Sequence, residues 1–436
     1  MVEQYQITGA GAAEIVASVE TGVRTSRLAP GSALPPVRAL AAELGLATAT
    51  VAAAYRTLRQ RGIVDTAGRH GTRVRQRPAI EHRGRTALPA GVLDLTTGEP
   101  DPALLPDLAV ALRQVPTTPA SYRDAGASPR LLAAARQRLA ADGLSGTPTV
   151  TGGALDGIYR ALSAHLRPGD RVAVEDPCWS NVRDLLASLG MHAVPVAVDD
   201  EGPTPEALEQ ALRSGASACV LTSRAHNPTG AVITAERARR LRAVLARHPG
   251  VLAIEDDHWA ELSDDPLHPV ADAAARWLFL RSVSKPYGPD LRLAIGCGDE
   301  ATVARLHGQL RLSSGWVSTV LQHLVLGVWD DPLTTPALHR ARDTYRDRRQ
   351  ALLTALAAHG VTARGHTGLN VWIPVPDETA AVTTLRDAGY AVAPGTPYRI
   401  ASASGIRVST SDLPLDHVEP LATVIAEAMH TPYPLA

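Results

Sequence analysis

Lysine is almost absent from this 436-residue chain: a single one, Lys285, stands beside 42 arginines. Phenylalanine is as scarce, with one residue, while Ala, Leu, Val and Arg abound. GC-rich coding produces that bias, so most of the missing lysine says nothing about function. The one lysine retained needs its own reason. Cysteine is sparse too: Cys178, Cys219 and Cys297 lie far apart, with no CxxC or His-rich spacing. That excludes a disulfide framework and a structural zinc site, and fits a reducing compartment. The first residues show no basic segment leading into an apolar core, and no run of about 18 apolar residues occurs anywhere. The expectation is a soluble, cytoplasmic protein without a membrane partner.

What is present is length and an uneven charge. A chain this long exceeds one small core, so two or more domains are expected. The net charge of −1 hides an asymmetry, because residues 1–90 hold 12 Arg against 6 acidic residues while the rest is net acidic. A basic N-terminal unit joined to an acidic body points to nucleic acid for the first alone.

In that unit, apolar periodicity over Ala12–Val23 predicts a helix. The stretch "PPVRALAAELG" predicts another, beginning near Pro36 and stopping at Gly45, a residue suited to the left-handed position after a helix. Thr48 or Thr50 then opens or caps a third, with Val51, Tyr55 and Leu58 on one face. Helix, short Gly-containing turn, helix is the helix-turn-helix pattern, and the later helix enters the major groove. "GIVDTAGRHGTRVRQR" follows as strand, Gly-flanked tip and strand. At the tip, Arg69 and His70 can meet phosphate or a minor groove. From "PGSALPPVRALA" to "GRHGTRV" the segment resembles the winged helix of GntR transcription regulators. The resemblance implies DNA contacts from Arg38 and the start of the third helix, Thr48 and Thr50 included. It departs at Ala47–Thr50, where relatives commonly carry Ser-Arg. Residues 1–76 are thus expected to form the DNA-binding domain and the Arg-, Pro- and Gly-rich 77–92 a linker.

From residue 93 to 436, helical runs such as Pro129–Asp142 alternate with "RVAVEDP", "ACVLTS", "VLAIEDD" and "WLFLRSVS". Buried parallel strands separated by helices make an α/β sheet, whose ligands bind beyond the C-terminal strand ends. Each of the four runs ends in polar residues. Gly152-Gly153 precedes a helix and offers free N–H groups to an anion. Trp179 offers a flat face, Asn227 a neutral hydrogen-bond donor, and Asp256 and Asp257 a carboxylate each. Ser282, Ser284, Lys285 and Arg292 complete the set. These parts meet the needs of pyridoxal 5'-phosphate: an amine, an acid for the pyridine nitrogen, a stacking ring and donors for phosphate.

Their order and spacing resemble the fold-type I aminotransferases, with a large α/β domain and a small C-terminal α+β domain. The resemblance implies an internal aldimine at Lys285, Asp256 rather than Asp257 on the pyridinium, Trp179 on the ring and Asn227 on the phenolate oxygen. It places Gly153, Ala154, Ser282, Ser284 and Arg292 about the phosphate, lets Tyr122 reach the partner subunit's phosphate, and makes Arg407 the clamp for a substrate carboxylate. It departs at His258, where relatives usually have Tyr; an imidazole can donate as well, but its charge depends on pH. Winged helix and aminotransferase-like body together, with "LHRARDTYRDRRQALLTAL" and "GLNVWIPVP", resemble the MocR subfamily. A homodimeric regulator on a double-stranded operator in the nucleoid follows, sensing an amine, an amino acid or a form of vitamin B6 through Lys285. The competing expectation is an active aminotransferase with a fused DNA-binding domain.

Overall fold

The structure is a computed structural model that describes residues 5–24, 27–60, 63–66, 71–75, 88–118, 121–122 and 126–430. The chain divides into two compact units, the first built mainly on residues up to 83.

Three helices, α1 (Ala12–Arg24), α2 (Val37–Leu44) and α3 (Thr48–Gln60), are followed by strands β1 (Val64–Thr66) and β2 (Thr72–Val74). Pro36 stands at the N-cap of α2, and Gly45 ends the helix at φ 65°, ψ 30°, its N–H turned back to Ala41 and Ala42. That backbone suits glycine because it carries no Cβ. Val51, Ala54 and Leu58 on α3 pack against Ile15, Val19 and Leu40, with Val64 and Val74 closing the core. The Tyr55 hydroxyl donates to the Pro35 carbonyl at 2.8 Å and pins α3 beside the entry to α2. Strands β1 and β2 pair antiparallel, Val64 opposite Val74. The tip between them, with Arg69 and His70, lies outside the described residues, as does the expected linker up to residue 87.

In the body, β3 (Leu93–Leu95) precedes eight strands: β4 (Thr147–Thr151), β5 (Arg171–Asp176), β6 (His192–Asp199), β7 (Gly202–Pro203), β8 (Ala216–Thr222), β9 (Leu252–Asp257), β10 (Arg276–Ser282) and β11 (Ala294–Gly298). Their order in one sheet is β4-β11-β10-β9-β8-β5-β6-β7. Strands β8, β9 and β10 run parallel, and every residue of β9 is buried, its apolar Leu252–Ile254 and the carboxylates of Glu255, Asp256 and Asp257 alike. Strand β11 instead runs antiparallel to β10 and β4. Residues 283–293 are fewer than the dozen or so that a parallel crossover requires, so the chain doubles back, and Lys285 and Arg292 both fall at one end of the sheet. The helices pack on this sheet around the larger core, which includes Leu131, Leu241 and Phe279.

A smaller sheet, in the order of β12 (Asn370–Pro374), β14 (Gly405–Ser409), β13 (Tyr390–Pro394) and β3, packs under helices Thr334–Ala358, Glu378–Asp387 and Val418–His430 around a second core. The C-terminal α+β domain therefore borrows its edge strand from residues 93–95. Among the described residues, no helix is long and apolar enough to cross a membrane and no side-chain cluster suits a metal ion.

Candidate functional site

The C-terminal ends of β5, β8, β9 and β10 open onto a cavity of about 320 Å³. Lys285 lies in it, on the single turn Ser284–Tyr287 that follows β10, and its Nζ donates to the Gly98 carbonyl. Burial, and next the Arg407 guanidinium, push its pKa down from 10.5 to about 8, with Glu99 opposing them. At that value about a tenth of the amine is uncharged at pH 7, far more than of an ordinary lysine, and the uncharged form is the nucleophile.

Asp256, next to last on β9, lies between Thr222 on β8 and Leu280 on β10. It is 5% exposed and lines the cavity, and its Oδ1 is buried without a hydrogen-bond partner. An orphaned carboxylate oxygen facing a cavity suits a cationic or N–H group of a ligand. Asp257 is engaged otherwise: Arg224 reaches both its oxygens at 3.0 and 2.6 Å and Arg281 adds 2.9 Å. Burial raises the Asp257 pKa, but the two arginines outweigh it and hold the carboxyl at about 2. His258 lines the cavity, its Nδ1 3.7 Å from Asp256 Oδ2.

Trp179 is positioned by the segment after β5. Asp176 accepts from the N–H groups of Ile400, Ala401 and Ser402 at 2.7–2.8 Å, and Cys178 N–H donates to the Tyr398 carbonyl at 2.8 Å. Asn227 sits in the turn after β8, which His226 braces through Thr229 Oγ1 at 2.7 Å, and its Oδ1 accepts from Arg407 Nη1 at 3.1 Å. Arg407 is buried, stacks 4.9 Å from the Tyr398 ring centroid, and leaves its Nε without an acceptor. Burial lowers its pKa. Among the described residues no carboxylate lies within ion-pair distance of Arg407, Arg292 or Lys285, so the cavity has the cations for an anionic ligand.

At the opposite side, Ala154 opens the helix Ala154–His165 beside Ser282, Ser284 and Arg292. Ser284 Oγ donates to the Leu291 carbonyl at 2.9 Å and accepts from Arg292 Nη1 at 3.4 Å. Gly153 has φ 108°, and a Cβ there would lie 2.8 Å from Arg292 Nη2. A helix N-terminus, two hydroxyls and a guanidinium around a space kept clear by glycine form an anion cradle.

Of the residues singled out from sequence, Lys285, Asp256, Asn227, Trp179, Ala154, Ser282, Ser284, Arg292, His258 and Arg407 line this one cavity, and Gly153 borders it through Arg292. Tyr122 does not: it is 91% exposed, edge-on to Trp316 at 5.7 Å. Arg38 and Thr48 are exposed on α2 and α3, with Thr50 half-buried. Gly98, Glu99, Asn181 and Asn370 also line the cavity. Gly98 and Glu99 come from a turn without periodicity, although "TTGEPDP" carries a turn signal, while Asn181 stands in the first turn of the helix Ser180–Ser188 and Asn370 opens β12, where nothing in the sequence pattern marks them.

The family described as aminotransferase class I and II matches residues 90–425, and bacterial regulatory proteins of the gntR family match residues 12–74. The vitamin B6 salvage pathway transcriptional repressor PtsJ of Salmonella typhimurium is 42% identical over 433 residues, covering 97% of this chain and 100% of its own. The HTH-type pyridoxine biosynthesis transcriptional regulator PdxR of Corynebacterium glutamicum is 29% identical over 76% of this chain and 75% of its own. Among solved structures, an aspartate aminotransferase of Thermus thermophilus with maleate superposes with a TM-score of 0.65 at 26% identity, covering 77% of this chain and 91% of that one.

Proposed function

Because the chain belongs to the aminotransferase class I and II family and carries a gntR-family segment ahead of it, we propose that it is a DNA-binding transcription regulator whose body takes pyridoxal 5'-phosphate as cofactor and signal. The carrying observation is buried Asp256, whose Oδ1 has no hydrogen-bond partner, in the same cavity as Lys285 and the anion cradle. Those groups fit the cofactor. Lys285 Nζ would hold its aldehyde carbon, Asp256 its ring nitrogen, Trp179 its ring face and Asn227 its phenolate oxygen, with His258 beside Asp256. Gly153, Ala154, Ser282, Ser284 and Arg292 would hold the phosphate. When bound, pyridoxal phosphate supplies an aldehyde that condenses with amines and an electron-poor ring.

The proposed division is residues 1–76 for DNA, 77–92 as linker and 93–436 for the cofactor. Arg38, Thr48 and Thr50 would touch DNA from the exposed side of α2 and the start of α3. A homodimer is supported by the exposed apolar side chains Leu112, Tyr122, Leu312, Val320 and Leu333, the kind of surface that a second subunit covers. The vitamin itself as effector is supported by the likeness to a vitamin B6 salvage repressor. A ligand that binds two body conformations unequally shifts the population, and with it DNA affinity.

A second reading has its own support: buried Arg407, without an anion, suits an α-carboxylate in a bidentate pair, and Lys285 is suited to move protons. The body would then transaminate amino acids. Absorbance and operator binding separate the two. Wild type mixed with pyridoxal phosphate should gain a visible band and change its affinity for DNA upstream of its own gene; Lys285→Ala should do neither. A wild type without the band overturns the cofactor assignment. Turnover with a 2-oxo acid favours the enzyme.

A further inference from the structure

Asn370 is 7% exposed, and its Oδ1 is buried in the cavity wall with no hydrogen-bond partner. It stands on β12 and Arg407 on β14; Arg407 pairs with Trp372, two residues from Asn370, so both leave the same face of the small sheet as diagonal neighbours. Gly98 marks where they converge: a Cβ there would lie 3.4 Å from Arg407 Nη1 and 3.8 Å from Asn370 Oδ1. The guanidinium favours the amide oxygen, rather than its nitrogen, on this side. An acceptor left unfilled in a buried wall costs about 1–3 kcal/mol. Glu99, adjacent to Gly98, brings a second acceptor to the same wall and repels acidic groups.

We propose that Arg407 and Asn370 form one recognition pair, which selects an amino acid carrying a short hydrogen-bond donor on its side chain. Arg407 takes the carboxylate, and Asn370 Oδ1 accepts from the side-chain hydroxyl or amide N–H. Aliphatic analogues leave Oδ1 empty, and acidic ones meet Glu99. The assignment rests on the second reading above, an amino acid held by Arg407, and names the class of amino acid for the same cavity.

L-serine and L-alanine differ by that hydroxyl and serve as probes. Calorimetric titration of the full-length protein, with and without added pyridoxal phosphate, should show L-serine binding about tenfold more tightly, the size of one hydrogen bond. In Asn370→Leu the ratio should fall towards one. Should that variant not accumulate folded, Asn370→Ala removes the same acceptor and reads the same ratio. Equal affinities in wild type, a preference that survives the substitution, or no binding of either amino acid each overturn the pair. The cofactor reading is judged separately by absorbance: a serine preference without a visible band keeps the pair and removes the cofactor.

Discussion

Asp256 and Asp257 are consecutive on one strand, so their side chains leave opposite faces of the sheet. One face is the cavity; the other is the interior where Arg224 and Arg281 lie. The two carboxylates should therefore fail differently. Asp257→Asn takes from buried Arg224 its carboxylate and leaves Arg281 with Asp142 alone, and should cost about 3–5 kcal/mol in denaturant unfolding, whereas Asp256→Asn should leave the midpoint near wild type and weaken pyridoxal phosphate binding. The Asp257 carboxyl is held at about 2, below its ordinary 3.8. A lowered folded-state value adds stability above the unfolded value and loses it as pH falls, so the two unfolding curves should converge between about pH 4 and 2. Lys285 is likewise lowered, here by burial, which disfavours its charged form. Its neutral fraction passes one half near pH 8, so the rate of cofactor capture should climb with pH, be half-maximal about there and level off roughly a unit higher; a rise continuing past pH 10 would show an unperturbed amine.

At the scale of elements, the site is where strands stop. Lys285, Asp256, Asn227 and Trp179 were legible in the sequence because each follows an apolar run long enough to read as a strand, and α/β sheets gather such ends on one edge. Asn370, Glu99 and Gly98 were not, since β12 belongs to a different sheet and residues 96–100 have no period. Strand β3, three residues long, was missed for the same reason. The antiparallel β11 was missed because an apolar run reads alike in either direction; only the short connection before it distinguishes the two. Gly153 tests the cradle at this scale. Its positive φ disfavours any side chain, at roughly 1–2 kcal/mol, and a Cβ displaces Arg292. Gly153→Ala should remain folded by circular dichroism while losing much of its affinity for pyridoxal phosphate; unchanged affinity would place the phosphate elsewhere.

For the whole molecule, the proposal makes two binding reactions report on one another. Arg38→Ala removes one exposed charge from α2, so operator affinity should fall and the slope of log affinity against log salt should flatten by about one. The cofactor titration of that variant should be unaltered, because Arg38 lies outside the cavity. Coupling between the reactions is reciprocal by thermodynamic necessity. If saturating pyridoxal phosphate changes operator affinity by a given factor, saturating operator must change pyridoxal phosphate affinity by the same factor in the same direction. Anisotropy of labelled operator gives the first factor and a cofactor titration with operator present gives the second. Agreement within error, and a factor of one for both in Lys285→Ala, is the expected result. Two unequal factors mean that the DNA and cofactor titrations do not follow the same equilibrium, and a factor of one in wild type removes the vitamin as the signal while leaving an amino acid effector to be tested through Asn370.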